Sequence, residues 1–199
     1  MNEDKDTRLR LLDSAGREFL EKGYNKASLR SICADADVTT GALYFFFKDK
    51  EDLFDEVVKA PLEELYAVVK THFANESRTD RWTPDMSDDI DAAVSVIKVL
   101  YKRRDLFLML LTKAQGSGYE HVKDEFVSFV EAHYREFAVQ FEKISGKRFK
   151  GKNTVHWVAH NQVDVFVYLL EHCESEAEAV KRIPNIVSYL TGGWFALYE

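Results

Sequence analysis

Two very short helical patterns, each opened by its own capping side chain and separated by four residues, constrain this chain more than any other feature. Ser28 stands ahead of Leu29-Arg30-Ser31-Ile32-Cys33-Ala34, where its hydroxyl can accept from an orphan amide of the first turn. Asp35-Ala36-Asp37-Val38 is the connector, and aspartate tolerates the left-handed backbone of a tight turn. Thr39 caps the second pattern, Gly41-Ala42-Leu43-Tyr44-Phe45, which Lys48-Asp49-Lys50 breaks. Upstream, Leu9, Leu12, Ala15, Phe19 and Leu20 form one stripe that stops at Gly23, so a longer supporting helix precedes the pair. A supporting helix followed by two short ones in this arrangement is a helix-turn-helix.

The rest of the chain also reads as helix. Asp49 can cap a long helix over about 50–73, and the polar stretch 75–87, which holds Pro84, reads as a loop. Asp88, Asp89 and Asp91 suit a helix start. Further helices are predicted over 88–103, 105–115, 119–144, 154–173 and 176–198, with breaks at Gly116-Ser117-Gly118 and at 147–152. Ser175 and Glu178 form a capping-box pattern for the last helix, which Pro184 is expected to kink or split. Gly192-Gly193 either ends that helix or lets a partner approach closely. No strand-like alternation of useful length occurs, and hydrophobic residues at 46% supply a sizeable core. The fold class is all-α.

Charge alone does not find a nucleic-acid partner. The net charge is -7, but residues 1–50 balance nine Lys/Arg against nine Asp/Glu, while 51–199 carry eighteen against twenty-five. The acidity therefore lies in the second part. Cys33 and Cys173 make no disulfide framework, the first ten residues lack a signal-peptide pattern, and no apolar run approaches the roughly 20 residues of a membrane span. A cytoplasmic protein without membrane contact is expected.

The residues inside the motif narrow the reading further. Gly23-Tyr24, Ser28-Leu29, Ile32, Ala36, Val38-Thr39, Gly41-Ala42-Leu43-Tyr44, Phe47, Lys50-Glu51 and Leu53 resemble the signature of the tetracycline-repressor (TetR) family. The resemblance is dense over about 8–54; beyond that it rests on helix number and length. It implies a helix-turn-helix DNA-binding domain over 1–50 and a helical ligand-binding and dimerisation domain over 51–199. It further implies a regulator, expected to be a repressor, that binds a palindromic operator in double-stranded DNA and leaves it when a small apolar or aromatic effector binds. Ser28 and Arg30 on the first short helix would meet the backbone. Thr39, Thr40, Gly41, Tyr44 and Phe45 would enter the major groove, and Lys50 matches the family's phosphate-contacting lysine. Ile32, Val38, Leu43 and Phe47 are core by their spacing, whereas Tyr44 suits either the core or DNA, Thr39 can be a cap alone, and Lys50 can be simply solvated.

Three features depart from the family pattern. Asp37 stands where the family usually has glycine, Phe46 replaces a His or Tyr, and Asp35 with Asp37 adds two acids near the duplex. A second reading therefore stays open: a helical dimeric binding module whose degenerate helix-turn-helix serves protein contacts.

Half-sites roughly 34–36 Å apart require two recognition helices held by a homodimer. The resemblance places its interface on the last two helices, with Val158, Val165, Phe166 and Leu169 on one and Ile186, Tyr189, Leu190 and Trp194 on the other. These can equally face their own subunit. For the effector, Trp82, Phe107, Met109, Leu110, Phe126, Phe129, His133, Trp157, His160 and Asn161 supply aromatic and polar groups that either line a pocket or form plain core. His156 and His160 sit one helical turn apart, but Trp157 occupies the place where a zinc-protease motif needs glutamate. Glu171-His172-Cys173 lies about three turns further on. No metal, cofactor or catalytic residue is assigned.

Overall fold

The computed structural model describes residues 2–76 and 86–199, with side chains from Asp4 onward in the first span. Trp82 and Pro84 lie outside the described residues. Among these residues the chain is all-α, with nine helices: α1 (Asn2–Lys26), α2 (Leu29–Asp35), α3 (Thr40–Phe46), α4 (Lys50–Glu76), α5 (Ser87–Lys102), α6 (Arg104–Lys113), α7 (Val122–Ser145), α8 (Val155–His172) and α9 (Glu176–Phe195). They form two compact units, residues 1–63 with 103–122 and residues 64–102 with 123–199; α4 runs from one into the other.

In the first unit α1 packs against α2, α3 and α6. Leu11, Ala15 and Phe19 recur every fourth residue and are fully buried, as an amphipathic stripe requires. Ile32, Leu43, Phe47, Leu53 and Phe54 complete the core, and α6 contributes Leu106, Phe107, Met109 and Leu110. The stop at Gly23 is real: the backbone leaves helical geometry there at φ 73°, ψ 168°. A side chain at 23 would be doubly opposed, by the left-handed φ and by the Lys113 carbonyl oxygen, 3.0 Å from where its Cβ would sit.

Among the described residues, apolar clusters build the second unit. Ala93 and Ile97 of α5 meet Leu169 and Cys173 at the end of α8 and Ala179, Ile183 and Val187 of α9. Tyr101 ties this cluster down, its hydroxyl donating to the Leu169 and Cys173 carbonyls at 2.8 and 2.9 Å. Val127 and Val130 of α7 pack on Ala159 and Val163 of α8. Ala138 and Phe141 pack with Phe149, Val155, Trp194 and Tyr198.

Two expectations change here. Helix α9 is not split at Pro184, which sits exposed inside a continuous helix. Residues 147–152 are not only a loop, because Phe149 and Tyr198 form an isolated antiparallel bridge. Backbone bonds flank it, from Arg148 N–H to the Glu199 carbonyl (2.9 Å) and from Lys150 N–H to the Leu197 carbonyl (2.8 Å).

Candidate nucleic-acid interface

The short helices α2 and α3 are too brief to persist alone, so caps and a buried anchor hold them. Ser28 Oγ accepts from the Ser31 N–H at 3.4 Å, and Thr39 Oγ1 accepts from the Ala42 N–H at 3.1 Å. Both caps stand where the sequence put them. Between the helices Asp37 takes φ 53°, the left-handed conformation that favours glycine and that aspartate tolerates.

The anchor is Glu18, which sequence spacing did not single out. Only 8% exposed, its carboxylate accepts from the Ser28 N–H and Ser31 Oγ, each at 3.1 Å, and from Lys22 Nζ at 2.9 Å. It thus joins α1 to the start of α2. Burial pushes this carboxyl upward, but the Lys22, Ser28 and Ser31 bonds together hold it below its ordinary value of 4.5. A depressed folded value means the stabilisation is complete at neutral pH and fades as pH falls below about 4.5 through the folded value. Glu18→Gln should cost about 1–3 kcal/mol near pH 7 and flatten the acid limb of stability between pH 6 and 3, followed by chemical denaturation.

Against this frame α3 turns its polar and aromatic side outward. Leu43 and Phe47, four apart, are buried, whereas Thr40 with Tyr44 and Gly41 with Phe45 form two neighbouring pairs on the opposite side. Tyr44 is 58% and Phe45 78% exposed; Ser28, Arg30, Thr39, Thr40 and Gly41 are exposed too. That removes the core alternative for Tyr44. Nothing internal asks for glycine at 41, since a Cβ there would meet only Thr39 Oγ1, at 3.8 Å. Such a glycine lowers helix stability by about 1 kcal/mol relative to alanine, a cost the protein's own packing does not explain.

Electrostatics on this side are milder than the acid count implies. Arg17 Nη2 bonds Asp35 at 2.6 Å and Arg17 also bridges to Asp13, so the hydrogen bonds from Arg17 hold the Asp35 carboxyl low and offset its charge. Lys50 is half-buried instead of freely solvated. Its ammonium donates to the Tyr24 carbonyl at 2.9 Å, lies 3.4 and 3.5 Å from those of Asn25 and Ala27, and sits 4.4 Å from the centre of the Tyr24 ring. It therefore pins the end of α1 to the start of α4.

The residues predicted to line an effector pocket fall into both units. Phe107 and Leu110 are buried on α6 in the first. Phe126, Phe129 and His133 come together on α7 in the second, with Tyr66 and Phe73: the Phe126 and Phe129 rings lie 4.9 and 5.6 Å from Tyr66, and His133 stacks on Phe73 at 3.6 Å. His160 and Asn161 are half-buried on α8, but Trp157 is 63% exposed and is not part of that interior cluster. Of the residues read as dimer contacts, Leu169 and Trp194 belong to their own subunit's core, while Tyr189 is 77% exposed. No helix among the described residues is long and apolar enough to cross a membrane.

Comparison with known proteins places the motif. The family model described as bacterial regulatory proteins, tetR family, matches residues 11–57. The HTH-type transcriptional repressor BepR of Brucella suis is 41% identical over 66 residues, 32% of each chain. The HTH-type transcriptional regulator AcrR of Shigella flexneri is 47% identical over 55 residues, 28% of this chain and 26% of that one. The matched stretch thus spans about a third or less of these curated relatives. The whole fold is similar to the crystal structure of NalD, the secondary repressor of the MexAB-OprM multidrug efflux pump in Pseudomonas aeruginosa. That likeness has TM-score 0.63 at 16% identity and covers 97% of this chain and 98% of NalD. PfmR from Thermus thermophilus matches with TM-score 0.63 at 15% identity, over 91% of this chain and 96% of that one.

Proposed function

As a member of the tetR family of bacterial regulatory proteins, this chain acts, we propose, as a homodimeric repressor on a palindromic operator in double-stranded DNA and leaves it when a small apolar or aromatic effector binds. Its workplace is then the cytoplasm. The observation that carries the reading is the outward side of α3, where Thr40, Gly41, Tyr44 and Phe45 stand exposed on a helix fixed from behind by Leu43 and Phe47. An internally unneeded glycine at 41 suits close approach of a groove wall. Ser28, Arg30 and Thr39 flank this side and reach phosphates. Lys50 contacts a phosphate while it keeps its bond to Tyr24 by exchanging one of its two longer bonds, to the Asn25 or Ala27 carbonyl.

Lys50→Ala should therefore act twice. Melting falls, in line with a loss of about 1.5–3 kcal/mol for a charged hydrogen bond. The salt dependence of DNA binding, read by mobility shift, loses about one unit of slope. An unchanged slope would remove Lys50 from the phosphate contacts. If DNA binding by the wild type is weak and indifferent to both salt and this substitution, the exposed Tyr44 and Phe45 favour the protein-binding alternative.

Dimerisation is assigned to the outer sides of α8 and α9. Trp157, Tyr168 and Tyr189 stand exposed there, at 63, 47 and 77%. Gly192 and Gly193 lie in the same helix as Tyr189 with nothing within 4 Å of an added Cβ, so a partner backbone can come close. Trp157→Glu with Tyr189→Glu should convert a dimer to a monomer in sedimentation and abolish operator binding. A dimer that survives both charges would move the interface elsewhere.

Effector entry is proposed to act through α4, which carries Lys50 at its first residue and belongs to both units. An effector shifts the recognition helices only by binding one of their spacings better than the other. The aromatic group of Tyr66, Phe73, Phe126, Phe129 and His133 is the proposed apolar contact surface; Phe107, Leu110, His160 and Asn161 remain proposed contributors.

A further inference from the structure

The last turn of α4 and the first turn of α5 gather a set of ligating atoms that the regulator reading does not use. His72 and Glu76 lie one turn apart on α4, and Asp89 faces them from α5; one ligating atom from each lies within 4.8 Å of the others. His72 Nε2 is 3.6 Å from Asp89 Oδ1 and 3.9 Å from Glu76 Oε2. Neither distance is a hydrogen bond, which would close to about 2.7–3.2 Å. Both are a few tenths above the edge of about 3.3 Å that a tetrahedral ion with ligand bonds of about 2.0–2.1 Å needs. Closing these gaps by a few tenths of an ångström would let one ion bridge the imidazole and the carboxylates.

The surroundings also fit an ion. His133 of α7 bonds Glu76 Oε2 through Nε2 at 2.7 Å, the kind of outer partner that orients a ligating carboxylate. His133 is itself fixed by its stack on Phe73, with ring planes 3° apart. Side-chain exposures of 22, 30 and 35% for His72, Glu76 and Asp89 leave a path for an ion while removing much bulk water. The sequence pointed instead to His156 with His160 and to Glu171-His172-Cys173, yet His156 is exposed and its Nδ1 is bonded to Glu131 at 2.7 Å.

We propose that His72, Glu76 and Asp89 bind a divalent transition metal of the zinc class, with His133 steadying Glu76, so that the ion joins α4 to α5. One imidazole and two carboxylates form a borderline-hard set, and three protein ligands leave one position for water. The site lies in the second unit and the helix-turn-helix in the first, and the test reads metal uptake, not DNA binding.

The full chain, stripped of metal, is titrated with Zn2+ alone and followed by calorimetry and melting. The expected result is one ion per chain and a raised melting temperature. His72→Ala and the near-isosteric Asp89→Asn should each weaken binding at least about tenfold, and His133→Ala should weaken it about 10–100-fold. His156→Ala, at an exposed histidine outside the site, should bind zinc as wild type does. The circular dichroism of each metal-free variant confirms that it is folded, and Asp89→Asn answers if His72→Ala does not fold. No zinc taken up, uptake unchanged in folded Asp89→Asn, or uptake lost in His156→Ala would each overturn the proposal.

Discussion

Replacing Thr40 and Tyr44 together by alanine should lower operator affinity at least about 100-fold while leaving the melting temperature nearly unchanged. Each good contact to a base edge contributes about 1–3 kcal/mol of discrimination, so losing both at about 1.4 kcal/mol each already reaches about 100-fold. Both side chains are exposed on α3, so their removal opens no cavity. The combination is diagnostic. A binding loss with a matching drop in melting would mean the side chains support the fold, whereas a folded variant that binds as tightly as wild type would remove α3 from the groove. Non-specific binding, which rests on phosphates, should change much less.

The second large effect lies behind that surface. Phe54→Ala should destabilise the first unit by about 3–5 kcal/mol, the range for emptying a large buried aromatic site. Phe54 is fully buried and its ring lies 4.8 Å from Phe19, 5.0 Å from Tyr24 and 5.9 Å from Tyr119. It therefore joins α1, α4 and the segment after α6, and no small shift of one neighbour fills the space. A thermal melt should show the loss as a drop on the order of 10 °C. Phe45→Ala, a change of the same size at an exposed position, is the control and should leave the melt unchanged. Equal losses in the two variants would contradict the division between the buried and presented sides of this motif.

Short-range chemistry was legible in the sequence. The caps Ser28 and Thr39, the stop at Gly23 and the left-handed Asp37 each depend on a few neighbouring residues, and all occur as read. The regular spacing of Leu43 and Phe47 likewise identified the buried side of α3. What stayed hidden depends on residues far apart in the chain. Helix α6 packs against α1 across about 90 residues, which no local periodicity encodes. Glu18 reads as a surface acid until α2 folds over it, and nothing local shows that Lys50, read as a phosphate contact or as solvated, also bonds the Tyr24 carbonyl. The imidazole and carboxylates of His72, Glu76 and Asp89 converge only when α4 and α5 are laid side by side.

Pro184 shows the opposite case, a helix expected to be kinked or split that is not split. A proline removes one backbone donor and crowds the preceding turn, yet α9 continues because Ile183 and Val187 are buried on both sides of it. Pro61 sits inside α4 in the same way. Packing outweighs propensity at both positions. Leu169 and Trp194 show how an apolar stripe can satisfy two readings: their spacing fits a subunit interface, but their burial is internal.

The most direct trial is to let the purified protein select from a pool of random duplex DNA and to sequence what it keeps. If α3 reads a groove within a symmetric dimer, the retained fragments converge on an inverted repeat with half-sites centred about 34–36 Å apart or a multiple of that. The Thr40→Ala, Tyr44→Ala protein then keeps no such sequence. Fragments without any shared repeat, or the same repeat recovered by both proteins, would contradict it.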